Sequence, residues 1–170
     1  MKRRAGSPPQ TSFIIRRCRP ADLKGVARLA ARLVREHHAM DRDRFFIFHR
    51  IEEGYATYLG GELDDKRSVV LVAARGRSIL GYAYGRIEPR DWNALRDRCG
   101  MLHDLYVAER VRRQGVAVRL VGEMVAQLAT LGAPRVILMT TTQNGPAQHL
   151  FRRLGFRTTM LEMTRECQLR

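Results

Sequence analysis

The fold is decided by residues 105–117, which read LYVAERVRRQGVA. An apolar strand pattern ends there, a basic loop follows, and a helix pattern opens at Gly115. The first N–H groups of a helix have no partner within the helix, and the helix dipole places partial positive charge behind them. Gly115 allows a bound group to approach the backbone closely, and Ala117 is too small to obstruct it. We therefore expect a diphosphate-binding helix start, although a basic helix start also occurs on ordinary protein surfaces. The loop arginines that add positive charge are Arg110, Arg112 and Arg113.

The elements on both sides of this stretch predict a mixed sheet. Strand patterns cover 12–18, 67–74, 78–88, 101–107, 135–140 and about 156–164, and helix patterns cover about 20–35, 43–59, 115–131 and 146–154. The short connection at Gly76 is typical of an antiparallel hairpin. The long helix before strand 135–140 is typical of a right-handed crossover between parallel strands. Gly60 and Gly61 are expected to end the second helix. The predicted fold class is therefore mixed α/β, with helices on both faces of the sheet.

The composition is that of one folded domain. The chain has 170 residues, and its 45% hydrophobic and 28% charged residues exclude a disordered or collagen-like chain. We expect residues 1–10 to form a disordered basic tail and residues 11–167 to form the domain. No apolar run approaches the roughly 20 residues that cross a bilayer, so no membrane partner is expected. The three cysteines have neither CxxC nor CxxH spacing, which disfavours a zinc site and makes a reducing cytoplasm the expected location.

The net charge of +14 is the one extreme property of the sequence. Such a positive field attracts nucleic acid, phosphorylated cofactors or acidic substrates. The cations are nearly all arginine and lie along the whole chain without a long block, which is also typical of an arginine-rich solvated surface. Both interpretations stay open, and the charge disfavours a free polycation as a ligand.

Two motifs carry a resemblance to a known family. The pattern R-x-x-G-x-A at 112–117, after L-x-V at 105–107, resembles the acetyl-CoA-binding motif of the GNAT superfamily of N-acetyltransferases. Asn144, Ala147 and the run LFRRLGF at 150–156 resemble that family's N-x-x-A-x-x-L-Y-x-x-x-G-F segment. The resemblance covers about residues 12–165. It implies a GNAT-type acyl-CoA N-acyltransferase fold, in which a central, mostly antiparallel sheet has helices on both faces.

The resemblance also implies how acetyl-CoA is bound. Its diphosphate would lie on the N–H groups of residues 113–118, and its pantetheine arm would pair with the backbone of residues 105–107. Asn144 would close the far side of the arm, and the Val107 N–H would donate to the thioester carbonyl. The implied cofactor-binding residues are Leu105, Tyr106, Val107, Arg112, Arg113, Gln114, Gly115, Val116, Ala117, Val118, Asn144 and Phe151. No metal is expected.

The resemblance leaves the catalytic groups open. Many family members have a tyrosine acid where this chain has Phe151, which has no proton to give, so another group, water or unassisted thiolate departure must serve. His103 and Glu88 are the two candidate bases: imidazole titrates near neutral pH, and Glu88 would act through water. Strand alternation places His103 on the face of Leu105, with Asp104 on the other face in a structural role. A hydrogen-bonded sheet histidine is the alternative for His103.

Acceptor recognition in the family comes from the first two helices and the strands before the cofactor strand. The residues of this chain at those places are His37, His38, Asp41, Phe45, Tyr82, Tyr84 and Trp92. The adjacent histidines at a helix end favour capping over a metal pair, because neighbours on a helix do not face one way. Tyr82 and Tyr84 share a strand face and line either a slot, a core or a dimer contact, and Glu88 shares that face if no bulge intervenes.

The sequence therefore predicts an N-acetyltransferase that moves the acetyl group of acetyl-CoA to a primary amine by direct attack in a ternary complex. The acceptor is expected to be a small molecule or a peptide. A homodimer is expected from family habit and from the apolar C-terminal strand pattern. The alternative is a basic module that binds nucleic acid or the ribosome, with a vestigial or regulatory acetyl-CoA site.

Overall fold

The computed structural model describes residues 12–167, so the basic tail expected over residues 1–10 lies outside the described chain. The described residues divide into two compact units, 12–139 and 140–167. Within the described chain, no helix combines the length and the apolarity that a membrane crossing requires.

The first unit is built on a five-stranded sheet whose spatial order equals its order along the chain. Its strands are β1 (Ile14–Arg17), β2 (Ser68–Arg75), β3 (Ser78–Glu88), β4 (Cys99–Val107) and β5 (Val136–Leu138). Three neighbouring pairs are antiparallel, and β4 pairs with β5 in parallel. The predicted mixed, mostly antiparallel sheet is confirmed.

Three helices cover this sheet. They are α1 (Leu23–Met40), α2 (Ile51–Glu62) and α3 (Val116–Thr130). The side chains of Tyr84 and Tyr106 contact α2 and α1 from one face of the sheet. On the other face, a Cβ at Gly85 would lie 2.8 Å from Met124 Sδ on α3. Helices therefore lie on both faces, as predicted.

The packing of α3 fixes where its first turn lies. Leu120, Met124 and Leu128 are fully buried. A Cβ added at Gly81 would lie 2.8 Å from the backbone oxygen of Tyr106 and 3.3 Å from Leu120. Only glycine fits such a close approach. The start of α3 is thereby held beside the C-terminal end of β4.

The second unit contains the helix α4 (Gly145–Arg153). Asn144 caps it, because its Oδ1 accepts a hydrogen bond of 3.1 Å from the Ala147 N–H. The Phe151 ring meets the Phe156 ring edge to face at 5.8 Å between centroids. Asn144 thus has a helix-capping role in the structure, alongside the cofactor role that the resemblance implies.

Two boundary predictions are wrong. The second helix begins at Ile51 rather than near 43, and it runs through Gly60 and Gly61 to Glu62. Arg50 has a left-handed φ of 58°, which interrupts the helical path before Ile51. Glu62 is held by Tyr84, so a contact outside the helix outweighs the weak propensity of the two glycines.

The strand predicted over 156–164 is also wrong, since residues 154–167 contain no strand. Met160, Leu161 and Met163 are 76%, 74% and 91% exposed. The apolar pattern of this segment favours a strand. A strand forms only where a neighbouring strand supplies its backbone hydrogen-bond partners.

Candidate active site

An extra residue in β4 shapes the site. Tyr84 on β3 pairs with Asp104, while the next residue, Gly85, pairs with Leu102, so His103 is inserted as a β-bulge. The bulge interrupts the alternation of side chains and directs His103 to the same face as Asp104, where it stacks on Tyr84. The prediction that His103 shares the face of Leu105, with Asp104 opposite, is therefore wrong, because regular alternation does not include a bulge.

His103 and Glu88 form a hydrogen-bonded pair. The distance from His103 Nε2 to Glu88 Oε1 is 2.9 Å, and the imidazole stacks on Tyr84 with 5.2 Å between centroids. A carboxylate accepts hydrogen bonds, so Nε2 is the donor of this pair, and in a neutral imidazole Nδ1 is then the nitrogen with the lone pair. The two side chains are 29% and 23% exposed, which leaves the imidazole within reach of a bound molecule. The bulge therefore joins the two candidate bases into one unit.

Tyr84 is held by a network that the sequence did not reveal. Its hydroxyl donates to Glu62 Oε2 at 2.9 Å and accepts from the Tyr58 hydroxyl at 3.1 Å. Arg86 lies 3.4 Å from Glu62 and 3.8 Å from Glu88. Glu62 was missed because a carboxylate in the last turn of a helix pattern is ordinary. The one available signal was that the hydroxyl of a buried tyrosine usually needs a hydrogen-bond partner.

Asp104 has a perturbed carboxyl group. It accepts a hydrogen bond of 3.0 Å from the hydroxyl of Tyr82, which is fully buried. Burial raises the pKa of Asp104 above the usual range, and the Tyr82 hydrogen bond and the charges of His103 and His37 oppose that rise. Burial and Asp104 also raise the pKa of Tyr82, which therefore stays protonated. The hydrogen-bonded pair of Asp104 and Tyr82 thus lies next to His103 in the chain and in the sheet.

The loop before α3 is tied to α1 and β4 through Arg112. Its Nη2 lies 3.0 Å from Glu36 Oε1, and its Nε donates to the Val107 carbonyl at 3.1 Å. The Tyr106 hydroxyl donates to the same Glu36 oxygen at 2.5 Å. Burial and this hydrogen bond raise the pKa of Tyr106 to about 12. The Arg112 side chain therefore braces the loop against α1.

The start of α3 is open. Gly115, its N-cap, has a φ of 79° and offers no side-chain cap to the first turn. Arg113 is also left-handed, with a φ of 64°. A Cβ at Gly115 would meet no atom within 4 Å. The first turn of α3 therefore has no side-chain cap from Gly115, and two exposed arginines, Arg110 and Arg113, precede it, a combination that suits an anion site.

One edge of β4 is unpaired between the bulge and the loop. Among the described strands, β5 pairs with β4 only from Gly100 to Leu102. The Ala108 N–H donates to Leu80 O at 2.8 Å, toward β3. Because successive N–H groups of a strand point to opposite sides, those of Leu105 and Val107 point toward the unpaired edge.

The remaining acceptor candidates have mainly structural contacts. His37 Nδ1 lies 2.9 Å from Leu33 O, inside α1, and His38 Nδ1 lies 2.7 Å from Phe45 O, beyond its end, so capping of the last turn of α1 by the two histidines stays a prediction. Asp41 accepts from the backbone N–H groups of residues 43 and 44. Trp92 is 75% exposed. In residues 12–167 there is no cluster of three potential metal ligands.

Tyr82 and Tyr84 share a face of the sheet, as predicted. The Tyr82 hydroxyl donates to Asp104, and the Tyr84 hydroxyl donates to Glu62. They are buried within the chain to 0% and 1% exposure. A dimer contact through these two rings is therefore excluded.

Comparison with protein-family models agrees with the resemblance carried by the two sequence motifs. A model of the acetyltransferase (GNAT) family matches residues 28–156 of this chain. No curated protein matches it in sequence.

Solved structures share the fold at low identity. A mutant of the BH1408 protein of Bacillus halodurans has a TM-score of 0.78 at 20% identity, covering 91% of this chain and 99% of that one. Aminoglycoside N-acetyltransferase AAC(6')-Iy in complex with CoA has a TM-score of 0.75 at 17% identity, covering 93% and 96%. Glucosamine-6-phosphate N-acetyltransferase from Arabidopsis thaliana has a TM-score of 0.68 at 16% identity, covering 92% and 99%.

Replacing Asp104 with asparagine should change how stability depends on pH. A carboxyl whose pKa is raised by folding binds its proton more tightly in the folded state, so folding loses stability as pH rises above the usual carboxyl range. Asparagine carries no charge and keeps an acceptor for Tyr82. In melting curves from about pH 4 to about pH 7, the Asp104→Asn variant should gain stability relative to the unchanged chain as pH rises. Since both chains carry the same histidines, a difference that stays constant with pH would contradict the raised pKa.

Proposed function

We propose that this chain, which belongs to the GNAT family of acetyltransferases, moves the acetyl group of acetyl-CoA to a primary amine. The amine would attack directly in a ternary complex. One observation carries the proposal: the unpaired edge of β4 runs from the His103–Glu88 pair at one end to the open start of α3 at the other. A binding edge and a proton acceptor thus lie on one strand.

The start of α3 fits the diphosphate of acetyl-CoA. Uncapped N–H groups, the left-handed Gly115 and the exposed charges of Arg110 and Arg113 form a site for two phosphates. Arg112 contributes by bracing the loop, since its guanidinium is engaged by Glu36. When bound, acetyl-CoA supplies the activated acetyl thioester.

The open edge of β4 provides hydrogen bonds along the pantetheine arm. The N–H groups of Leu105 and Val107 point to that edge, so both are available to a bound molecule. Leu105 is two residues, or about 7 Å, from His103, whereas Val107 is about 13 Å away. The shorter distance favours the Leu105 N–H as the donor to the reacting carbonyl oxygen. Val107 then pairs with the arm, which refines the role that the resemblance gives to Val107.

His103 is the proposed base. With Nε2–H donated to Glu88, the Nδ1 lone pair accepts a proton from the acceptor amine. Glu88 fixes the orientation of the ring and stabilises the imidazolium that forms, as a carboxylate does for histidine in other hydrolytic and transfer sites. Glu88 is then a positioning residue rather than a second base.

No dedicated acid is assigned to the leaving thiolate. Phe151 has no proton to give, and the Tyr106 hydroxyl donates to Glu36. A thiol ionises near pH 8.5, within about two units of neutrality, so its thiolate leaves without a full proton transfer. Solvent water then supplies the proton.

The acceptor is proposed to be a small molecule or a peptide with a free primary amine. The net charge of +14 disfavours a polycationic acceptor.

The free thiols of Cys18, Cys99 and Cys167 agree with a reducing cytoplasm. The alternative, a basic module that binds nucleic acid, rests on the same net charge.

Acetyl-CoA should stabilise the folded chain. A ligand at about 100 times its dissociation constant adds roughly 2.7 kcal/mol when it binds only the native state. Gly115→Glu should abolish the melting shift, because it places a strained side chain and a negative charge where the diphosphate lies. Gly122→Glu is the matched control, since a Cβ there also meets no atom within 4 Å but the residue lies inside α3. The shift should survive in that variant.

Two results would contradict this assignment. One is the absence of any melting shift at about millimolar acetyl-CoA. The other is an equal loss of the shift in both glycine variants. Salt-sensitive binding of a random oligonucleotide together with no acetyl-CoA binding would favour the basic module instead.

Removal of His103 should reduce turnover without affecting cofactor binding. His103→Ala and His103→Gln should each lower kcat/KM by about 10² to 10⁴. The rise of kcat/KM through near-neutral pH should disappear in both, while acetyl-CoA affinity should change less than about twofold. His49→Ala, at an exposed histidine, is the control and should have no effect.

Glu88→Gln separates the two roles. As a positioning residue, Glu88 should matter less than His103, so Glu88→Gln should lower kcat/KM by less than His103→Ala does. If His103→Ala keeps full activity and Glu88→Gln is the severe variant, Glu88 acting through water is the base and His103 is structural.

We also propose a homodimer that forms through the exposed apolar C-terminal segment. Met160 and Met163 are 76% and 91% exposed, although methionine is usually buried. Sedimentation at about 20 μM should give a species of about twice 19.5 kDa. Replacing both methionines with lysine should give the monomer, while Met139→Lys, at another exposed methionine, should not. A 19.5 kDa species from the unchanged chain would contradict the dimer.

A further inference from the structure

A cationic cleft lies outside the His103 site. The N-terminal half of α1, the turn between β2 and β3, and the segment before α3 enclose a volume of about 370 Å³. Its positively charged lining residues are Lys24, Arg28, Arg32, Arg77 and Arg110. None of the residues that contact His103 or Glu88 lines it.

The charge of this cleft is not balanced by the chain itself. In residues 12–167, no carboxylate forms an ion pair with any of the five cations. The one acidic lining residue, Asp22, is engaged by Arg16 through two hydrogen bonds of 2.5 and 3.0 Å. Arg16 lowers the pKa of Asp22, so its charge is already matched. Like charges that converge without counter-charges repel one another, and a bound anion relieves that repulsion.

The elements that form the cleft are firmly packed. Gly25 lies so close to β3 that a Cβ there would be 2.8 Å from Ile79 Cγ1. Leu29, on the next turn of α1, is 6% exposed. Lys24, Arg28 and Arg32 follow at intervals of four residues, so they form a row with a spacing of about 6 Å along α1. Arg77 extends from the turn on the other side. The cations are therefore arranged around an existing space.

The lining favours a compact ligand over a nucleic acid. Proteins that bind single-stranded nucleic acid combine positive charge with aromatic side chains on which bases stack. The lining residues of this cleft include none of Phe, Tyr and Trp. Its apolar floor is made of aliphatic side chains such as Leu29 and Ile79, and its polar groups are nearly all cations. Such a site recognises charge density rather than base faces.

We propose that this cleft binds a compact, multiply charged phosphate compound, separately from acetyl-CoA. Two or three linked phosphates present enough oxygens to accept hydrogen bonds from both the α1 row and Arg77. Arg110 is the one lining residue near the α3 loop, so the phosphates of CoA itself are the other possible source of this chemistry. Competition with CoA distinguishes the two sources.

The probe is inorganic tripolyphosphate, titrated by calorimetry at fixed ionic strength into the full chain, with and without saturating CoA. The double variant Arg28→Gln with Arg77→Gln should weaken binding at least about tenfold, because it removes charged hydrogen-bond donors from both walls. The matched control, Arg42→Gln with Arg135→Gln, removes the same charge from exposed positions outside the cleft and should weaken it less than about twofold. Equal melting temperatures of the two double variants would show that both are folded.

Binding that persists in saturating CoA and depends on the cleft arginines supports the proposal. If CoA abolishes tripolyphosphate binding, the tripolyphosphate binds in the cofactor site, and the proposal of a separate site is overturned. Equal weakening in both double variants overturns it as well, since general attraction then explains the affinity. Tighter binding of a single-stranded oligonucleotide than of tripolyphosphate, lost in the cleft variant, would replace the compact ligand with a nucleic acid.

Discussion

The bulge at His103 shifts the register between β3 and β4 by one residue, and the chemistry of the site depends on that shift. Without it, His103 would point to the α3 face with Leu105, away from Glu88 and Tyr84. With it, His103 and Asp104 lie side by side on the face of α1 and α2. One inserted residue thereby brings together the proposed base, the carboxylate proposed to orient it, and the buried Asp104–Tyr82 pair.

The other half of the site depends on the short pairing of β5. Because β5 leaves β4 after Leu102, the backbone of β4 keeps hydrogen-bond donors that no described strand uses. Arg112 and Glu36 then hold the following loop against α1, so that the first turn of α3 is presented at the end of the same edge. The bulge, the open edge and the helix start succeed one another along 13 residues of chain, from 103 to 115.

Much of this arrangement could be predicted from the sequence. The helix start at Gly115 was predictable because a glycine between a basic loop and an apolar helical pattern is typical of such a start, and the strand and helix periods indicated the order of all elements up to α4. The face of His103 was not predictable, since a bulge adds a residue without a mark in the apolar pattern. Glu62 was missed, and the strand expected over 156–164 was wrong, for a related reason: partners distant in sequence decide whether a side chain is engaged and whether a strand forms.

The open edge of β4 and the start of α3 are proposed to bind acetyl-CoA. Backbone amide NMR of the uniformly labelled chain, titrated with CoA, tests this proposal most directly, because each N–H reports its own hydrogen bond. The account predicts the largest shift changes at the amides of 114–118, with accompanying changes at Leu105 and Val107. Saturable changes confined to other amides, with these seven unmoved, would contradict it.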